Sequence, residues 1–183
     1  MLGRSPDFTS HPVIEYGAIL ADPPWHFKTW SSTRQTRHAR NHYETMESMS
    51  DVAVPAADDC ALFLWAVDPM LPQAFEALKA WGFKYKTVGF TWVKTGPTGF
   101  PIGMGYWSRA NPEMCLLATR GKPKRLSKSV PQLMLAPRRE HSRKPDEIYD
   151  RIEALVSGPY LEMFARQRRD GWDAWGDEVD KFK

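Results

Sequence analysis

The chain has 183 residues, of which 42% are hydrophobic and 26% are charged, and its formal net charge is +3. A chain of this length forms one domain with a substantial core, so we expect a single domain over residues 1–183 with a loose arm at 1–13. The longest apolar stretch, residues 60–67, is too short to cross a membrane, and the N-terminal residues lack the apolar segment of a signal peptide. We therefore expect a cytoplasmic protein with no membrane partner.

Predicted strands and helices alternate along the chain. Apolar runs predict strands at 16–21, 61–67, 86–94, 113–119 and 160–164, with a further short strand near 133–136. Residues 45–59 are interpreted as one or two short helical turns, and helices are predicted at 69–81 and from Pro145 onward. This alternation predicts an α/β fold in three layers. The two cysteines, Cys60 and Cys115, lie in predicted strands and are interpreted as buried core residues.

A four-residue motif, Asp22-Pro23-Pro24-Trp25, follows the first predicted strand. Each proline fixes its own φ, removes one N–H donor and biases the preceding residue toward extended backbone, so the turn is stiff and rich in acceptors. A carboxylate and a proline carbonyl can accept both hydrogens of an exocyclic amine, and Trp25 can stack on a base. Because ligands of α/β sheets bind beyond the carboxyl ends of strands, the motif predicts a site for an amine-bearing base. The alternative is a strand-ending turn with a buried tryptophan.

Positive charge is clustered in predicted loops, although the net charge is small. A solvated loop explains any one cluster, but four clusters favour a nucleic-acid surface, where lysine and arginine contact phosphates without reading sequence. The clusters are Arg34, Arg37, His38, Arg40 and His42; Lys122, Lys124, Arg125 and Lys128; Arg138, Arg139, Arg143 and Lys144; and Arg166, Arg168 and Arg169. The residues expected to contact nucleic acid are Arg34, Arg37, Arg40, Lys122, Lys124, Arg125, Arg138 and Arg139.

The C-terminal stretch is the second candidate site. The strand predicted at 160–164 leads to Arg166 and then to adjacent carboxylates, Asp177 and Glu178, which suit the hydroxyls of a ribose. Their alternative interpretation is that of ordinary surface acids. Lys144 directly precedes a predicted helix, where a cation is unfavourable unless an anion such as a ligand carboxylate lies beside it. No histidine or cysteine spacing matches a metal site, so no metal is expected.

Five segments of the chain together resemble a known family. They are Ala21-Asp22-Pro23-Pro24-Trp25, residues 62–65, residues 91–95, residues 144–149, and 164–166 with 175–178. Over roughly residues 16–180 the chain resembles the MTA-type N6-adenine methyltransferases, typified by the catalytic subunit of the mRNA adenosine methyltransferase and including bacterial and phage DNA-modifying members. The resemblance implies a Rossmann-like methyltransferase fold with a mostly parallel sheet, S-adenosylmethionine as cofactor, and the β-class permuted order, in which the catalytic motif precedes the cofactor loop.

The resemblance also implies a role for each matched residue. Asp22, Pro23, Pro24 and Trp25 would hold the adenine amine at the methyl-transfer centre. The residues implied to hold the cofactor are Lys144 and Arg166 at its methionine end, Asp177 and Glu178 at its ribose, and Asp7 at its adenine ring. Asp177 stands where many relatives have asparagine, and Arg168 with Arg169 stands where a His-Asn pair is frequent.

The implied reaction is direct methyl transfer to the 6-amino group of a flipped or unpaired adenine. We favour DNA as the nucleic acid, with RNA N6-adenosine methylation as the alternative. A rival from another class is a non-catalytic nucleic-acid-binding subunit, which the intact Asp-Pro-Pro-Trp motif disfavours. A homodimer is one possible assembly.

Overall fold

The structure is a computed structural model that describes residues 14–25, 52–103, 105 and 107–182. Its strands are β1 (Tyr16–Ala21), β2 (Ala56–Ala66), β3 (Lys84–Thr95), β4 (Glu113–Arg120), β5 (Leu133–Pro137), β6 (Tyr160–Met163) and β7 (Trp172–Trp175). Its helices are α1 (Leu71–Ala80), which follows a 3-10 turn at Asp68–Met70, and α2 (Glu147–Leu155). None of the described helices is long and apolar enough to cross a membrane.

The seven strands form one sheet in the order β5-β3-β4-β2-β1-β6-β7. β4 runs antiparallel to its neighbours β2 and β3, and the other four neighbouring pairs are parallel. The sheet is therefore mostly parallel, which confirms the predicted α/β, Rossmann-like methyltransferase fold.

The two central strands, β1 and β2, are buried on both faces. Ile19 of β1 and Leu62 of β2 belong to the core cluster that also contains Leu78 of α1. Their neighbours Leu20 and Phe63 belong to the opposite cluster, with Ile148 and Ile152 of α2 among its members. Successive side chains of a strand point to opposite faces, so continuous apolar runs fit strands covered on both sides. Among the described residues one helix covers each face of the sheet, which gives the three layers expected from the sequence.

Two segments differ from the prediction. Residues 52–55 form no helix and β2 begins at Ala56, so the helical turns predicted at 45–59 are wrong for 52–59, while 45–51 lie outside the described residues. Asp58 and Asp59 break the apolar pattern there, but backbone pairing extends the strand past them. β7 lies in the tail where no strand was predicted, and it pairs in parallel with β6 from Tyr160–Trp172 to Met163–Trp175. Four residues are too few to show a reliable period.

The direction of the strands defines two edges of the sheet. The six mutually parallel strands all end at one edge, here called the site edge, and β4 begins there. The opposite edge holds their first residues and the end of β4. β1 lies between β2 and β6. After β1 the chain continues into β2 on one side, and the later strand β6 packs against the other side, so the strand order reverses at β1. Such a switch point is where open α/β sheets bind their ligands.

Candidate active site

Asp22 lies at the site edge, directly after β1. Its carboxylate is buried, and one oxygen, Oδ2, accepts hydrogen bonds from Lys144 Nζ at 2.9 Å and from Arg166 Nη1 at 2.6 Å. The two cations stand 122 and 144 residues further along the chain, so the topology of the sheet brings the three charges together. Buried charges persist only when paired, and this pairing joins three elements of the fold at one point.

Lys144 lies between two carboxylates ahead of α2. Besides Asp22, its Nζ lies 3.4 Å from Glu113 Oε2 and 5.4 Å from the centre of the Trp65 ring. Burial lowers the pKa of Lys144, but the negative charges of Asp22 and Glu113 outweigh burial and raise it above its usual value. Lys94 lies 2.7 Å from the other oxygen of Glu113. The anion expected beside this lysine is therefore supplied by the protein itself.

Arg166 follows β6 through an unusual bend. Phe164 has a φ of 60°, in the left-handed region that side chains rarely adopt. Gly176, in the loop after β7, packs so closely that a Cβ there would lie 2.7 Å from the backbone nitrogen and oxygen of Ala165. Oε2 of Glu178 lies 3.4 Å from Arg166 Nε. The segment after β6 and the loop after β7 therefore meet at Arg166, whose guanidinium pairs with Glu178.

The Asp-Pro-Pro-Trp turn is largely buried. Pro23 is buried and Pro24 is half-buried. The Trp25 side chain is 6% exposed, and its Nε1 donates a hydrogen bond to the Trp65 carbonyl at 2.9 Å. The indole packs in the core beside β2, so the structure contradicts the expectation that Trp25 lies open to stack on a base. In this conformation Trp25 fixes the turn that carries Asp22.

A shallow, open cleft lies beside Asp22. Its walls include Arg143, Lys144, Glu162 and Arg166. The Nε of Arg143 is buried and has no hydrogen-bond partner within the described part of the chain. Three cationic side chains on one wall, one of them with an unsatisfied buried donor, suit a ligand that carries an anionic group.

Glu162, in the middle of β6, is a cleft residue that the sequence analysis missed. Its Oε2 accepts a hydrogen bond from the Tyr149 hydroxyl at 2.8 Å. Burial raises the pKa of Glu162 to about 7, and the nearby charge of Asp22 acts in the same direction, although the Tyr149 hydrogen bond and the charge of Arg166 lower it. A carboxylate inside a buried strand, four residues before Arg166, was the signal that could have identified it.

Arg139 is not a free nucleic-acid contact, contrary to the prediction. Its guanidinium forms a bidentate ion pair with Asp146, with both N–O distances 2.7 Å, and also donates to the Lys144 carbonyl at 2.7 Å. A cluster of basic residues in sequence cannot reveal that one of them is used within its own loop. Its neighbour Arg138 is exposed directly after β5, at the site edge, and stays a candidate.

The second basic cluster lies away from Asp22. Lys122, Lys124 and Arg125 are exposed, but they follow the end of β4 and so lie at the opposite edge. The backbone N–H of Lys122 donates to Asp59 at 2.6 Å, and Arg125 forms a bridge to Val156 at the end of α2. At about 3.3 Å per residue, the eight residues of β4 separate this cluster from Asp22 by roughly 25 Å. These three residues therefore lie at the edge away from the Asp-Pro-Pro-Trp motif, and their contact with nucleic acid stays a prediction.

The remaining predicted residues have mixed outcomes. Arg168 pairs with Asp180 at 3.1 Å, and Arg169 pairs with Asp150, so neither is a free cation. Asp177 is exposed beside the site. The residues that lie outside the described part of the chain are Asp7, Arg34, Arg37, His38, Arg40 and His42.

Comparison with known proteins identifies the family of this chain. A sequence profile of the MT-A70 family matches residues 16–178, which contain Asp22, Lys144, Arg166 and Glu178. The chain belongs to the MT-A70 family. The resemblance inferred from the five sequence segments is thereby confirmed, and with it the expectation of a methyltransferase.

Individual relatives of this MT-A70 protein fall into two groups. The Type II methyltransferase M.MunI from Mycoplasma sp is 30% identical over 94% of the chain, which covers 81% of that relative. The N(6)-adenosine-methyltransferase MT-A70-like protein of Arabidopsis thaliana is 30% identical, and the human N(6)-adenosine-methyltransferase catalytic subunit METTL3 is 29% identical. The chain covers 24% and 28% of those two proteins, so it spans about a quarter of their length.

Proposed function

We propose that this protein transfers a methyl group from S-adenosylmethionine to the N6 amine of adenine in DNA. The observation that carries the proposal is the Asp22 carboxylate, which two cations hold at the switch point of the sheet, beside an open cleft. Membership of the MT-A70 family supports the reaction type.

The charges of the cleft fit the methionine end of the cofactor. Lys144 and Arg166 would hold its carboxylate, sharing their positive charge between that group and Asp22, and the buried Nε of Arg143 offers one further donor. Asp177, which is exposed, and Glu178 are candidates for the ribose hydroxyls. When bound, S-adenosylmethionine supplies a methyl group that is activated by the positive sulfur.

Asp22 and the proline carbonyls would bind the substrate amine. An exocyclic amine presents two donors, and a carboxylate oxygen with a carbonyl can accept both. The ion pairs at Oδ2 orient the carboxylate before the substrate arrives, so positioning and electrostatics supply the rate, without a covalent enzyme intermediate. The buried Trp25 would act through the shape of this turn. An adenine in duplex DNA must leave the base stack to reach Asp22.

DNA is favoured over RNA because of how the chain compares with its relatives. It covers most of a bacterial Type II methyltransferase, but only about a quarter of the adenosine methyltransferases it resembles. Binding of nucleic acid at the site edge is supported by the exposed Arg138. Cytoplasmic location, a single domain over residues 1–183 and a homodimer stay predictions.

A labelled-methyl transfer assay tests the proposal. Four oligonucleotides of one sequence are compared: single- and double-stranded DNA, and single- and double-stranded RNA. In a matched control set, purine without the 6-amino group replaces every adenine. We expect label in the adenine-containing DNA and none in the control set. Label only in RNA supports the alternative substrate, and label in the control set contradicts transfer to the amine.

A further inference from the structure

Lys144 and Arg166, the two cations that bind Asp22, lie on separate loops. Each loop contains one residue with strained backbone. Ser142, two residues before Lys144, has a φ of 68°, and Phe164, two residues before Arg166, has a φ of 60°. Side chains avoid this region of backbone conformation, and residues stay in it only when their surroundings hold them there. Each loop therefore needs contacts that fix it.

The first loop is closed by Arg139 and Asp146. The bidentate ion pair between them spans seven residues, and one guanidinium nitrogen also holds the Lys144 carbonyl at 2.7 Å. The paired guanidinium is the main cause that lowers the pKa of Asp146 to about 2, so Asp146 is charged at neutral pH. These contacts fix the backbone that carries Lys144.

The second loop is tied to the first through Gln167, the residue after Arg166. Its Nε2 donates to Asp146 Oδ1 at 3.0 Å and lies 3.2 Å from the hydroxyl of Tyr149. Asp146 therefore accepts from both loops at once. Asp22 is contacted by both loops as well, but only through the two cations themselves, Lys144 and Arg166.

We propose that Arg139, Asp146 and Gln167 form a brace that positions Lys144 and Arg166 for the carboxylate of the cofactor. The inference rests on the proposed function. Two cations from independent loops must meet one small anion within hydrogen-bond distance, and a common anchor at Asp146 couples their positions. The brace residues act through Lys144 and Arg166 and are positioning residues.

Calorimetric titration of Gln167→Leu tests the brace. The ligands are S-adenosylmethionine and its decarboxylated form, which differs by the carboxylate alone. The hydrogen bond from Gln167 to the charged Asp146 favours the braced arrangement of the loops by about tenfold, and a cofactor that needs this arrangement loses up to that factor in affinity when the bond is removed. We expect the Kd of S-adenosylmethionine to rise about tenfold while the Kd of the decarboxylated compound changes less than about twofold. Asp146→Asn should give the same selective loss if Gln167→Leu folds poorly.

Gln132→Leu is the matched control. Gln132 is exposed just before β5, at the opposite edge, and its Nε2 donates to the Val88 carbonyl at 2.6 Å. This variant should leave both Kd values unchanged. Equal weakening of both ligands by Gln167→Leu, or no weakening, overturns the brace while wild-type binding of S-adenosylmethionine still supports the proposed function. A wild-type protein that does not bind S-adenosylmethionine overturns both.

Discussion

The two edges of the sheet both hold well-packed cations, but the partners of those cations differ. At the opposite edge, Arg120 donates to the carbonyls of Ala56 and Trp81 at 2.9 and 2.7 Å and lies 5.1 Å from the Phe83 ring centre. At the site edge, Lys144 and Arg166 bind carboxylates. A cation bound to backbone carbonyls of the fold cannot leave them for a ligand without local unfolding. A cation bound to a side-chain carboxylate can bind a ligand anion at the same time. The functional edge is therefore distinguished by cations paired with carboxylates, and not by the presence of positive charge alone.

The largest effect is expected from Asp22→Asn. The variant keeps the size of the side chain but removes the charge that faces the amine, so kcat should fall by at least about 1000-fold. The control is Asp58→Asn, an exposed carboxylate at the opposite edge, which should keep wild-type turnover. Both are measured by single-turnover methyl transfer. Wild-type turnover in Asp22→Asn contradicts the assignment of the site.

Lys144→Met should weaken binding of the cofactor without unfolding the protein. Arg166 still pairs with Asp22, and Lys94 still pairs with Glu113, so no carboxylate is left alone. Loss of one charged contact of about 2–3 kcal/mol corresponds to a Kd for S-adenosylmethionine that is about 30–150 times higher. The matched control is Lys122→Met at the opposite edge. If the two lysine variants bind the cofactor equally well, the site edge does not hold it.

Arg120→Met is the reciprocal experiment at the opposite edge. It removes two hydrogen bonds to carbonyls and should lower the free energy of unfolding by about 2–3 kcal/mol, as measured with urea. Cofactor affinity should stay within about twofold of wild type. The exposed Arg125→Met serves as the control for stability. If the Arg120→Met variant is folded but loses most of its cofactor affinity, the claim that the two edges have different roles is wrong.

Glu162 should make stability depend on pH. Its pKa is raised in the folded protein to about 7 from 4.5, so its contribution to stability is complete below pH 4.5 and is lost as pH rises through 7. At 1.36 kcal/mol per unit, the loss is at most about 3 kcal/mol. Between pH 5 and pH 8, wild type should lose more stability in urea than Glu162→Gln does. The exposed Glu76→Gln should behave as wild type, and parallel curves for Glu162→Gln would disprove the raised pKa.

The smallest effect is expected for nucleic-acid binding. Arg138→Ala, at the site edge, should weaken DNA binding about three- to tenfold at low salt and reduce its salt dependence by about one counterion. Lys124→Ala, an exposed lysine at the opposite edge, should change binding less. Fluorescence anisotropy at several salt concentrations measures both variants. If Lys124→Ala weakens DNA binding more than Arg138→Ala does, the second basic cluster contributes to the DNA-binding surface.

The central strands and the positions of Asp22 and Arg166 at one edge of the sheet could be anticipated from sequence for related physical reasons. β1 and the apolar part of β2 are buried on both faces, so their residues form continuous apolar runs. Asp22 and Arg166 each stand just beyond such a strand, and parallel strands end at a common edge. The sequence leaves the burial of Trp25 open as an alternative, because a tryptophan after two prolines suits both a core position and a stacking surface.

Other features depend on contacts that a one-dimensional pattern does not contain. Arg139 has the same sequence context as Arg138, and only the loop geometry pairs it with Asp146. The position of Lys122 at the opposite edge depends on strand direction, which a pattern of charges does not contain, because β4 runs against its neighbours. The short strand β7 exists because β6 offers it a free edge.

Nucleoside mass spectrometry of a methylated DNA oligonucleotide tests whether the protein methylates the N6 amine of adenine and needs Asp22 to do so. Wild-type protein and S-adenosylmethionine are incubated with the DNA, which is then digested to nucleosides. The account predicts N6-methyladenine as the single methylated nucleoside and its absence with Asp22→Asn. Methyl groups on cytosine or on a ring nitrogen of adenine, or N6-methyladenine formed equally by Asp22→Asn, would contradict it.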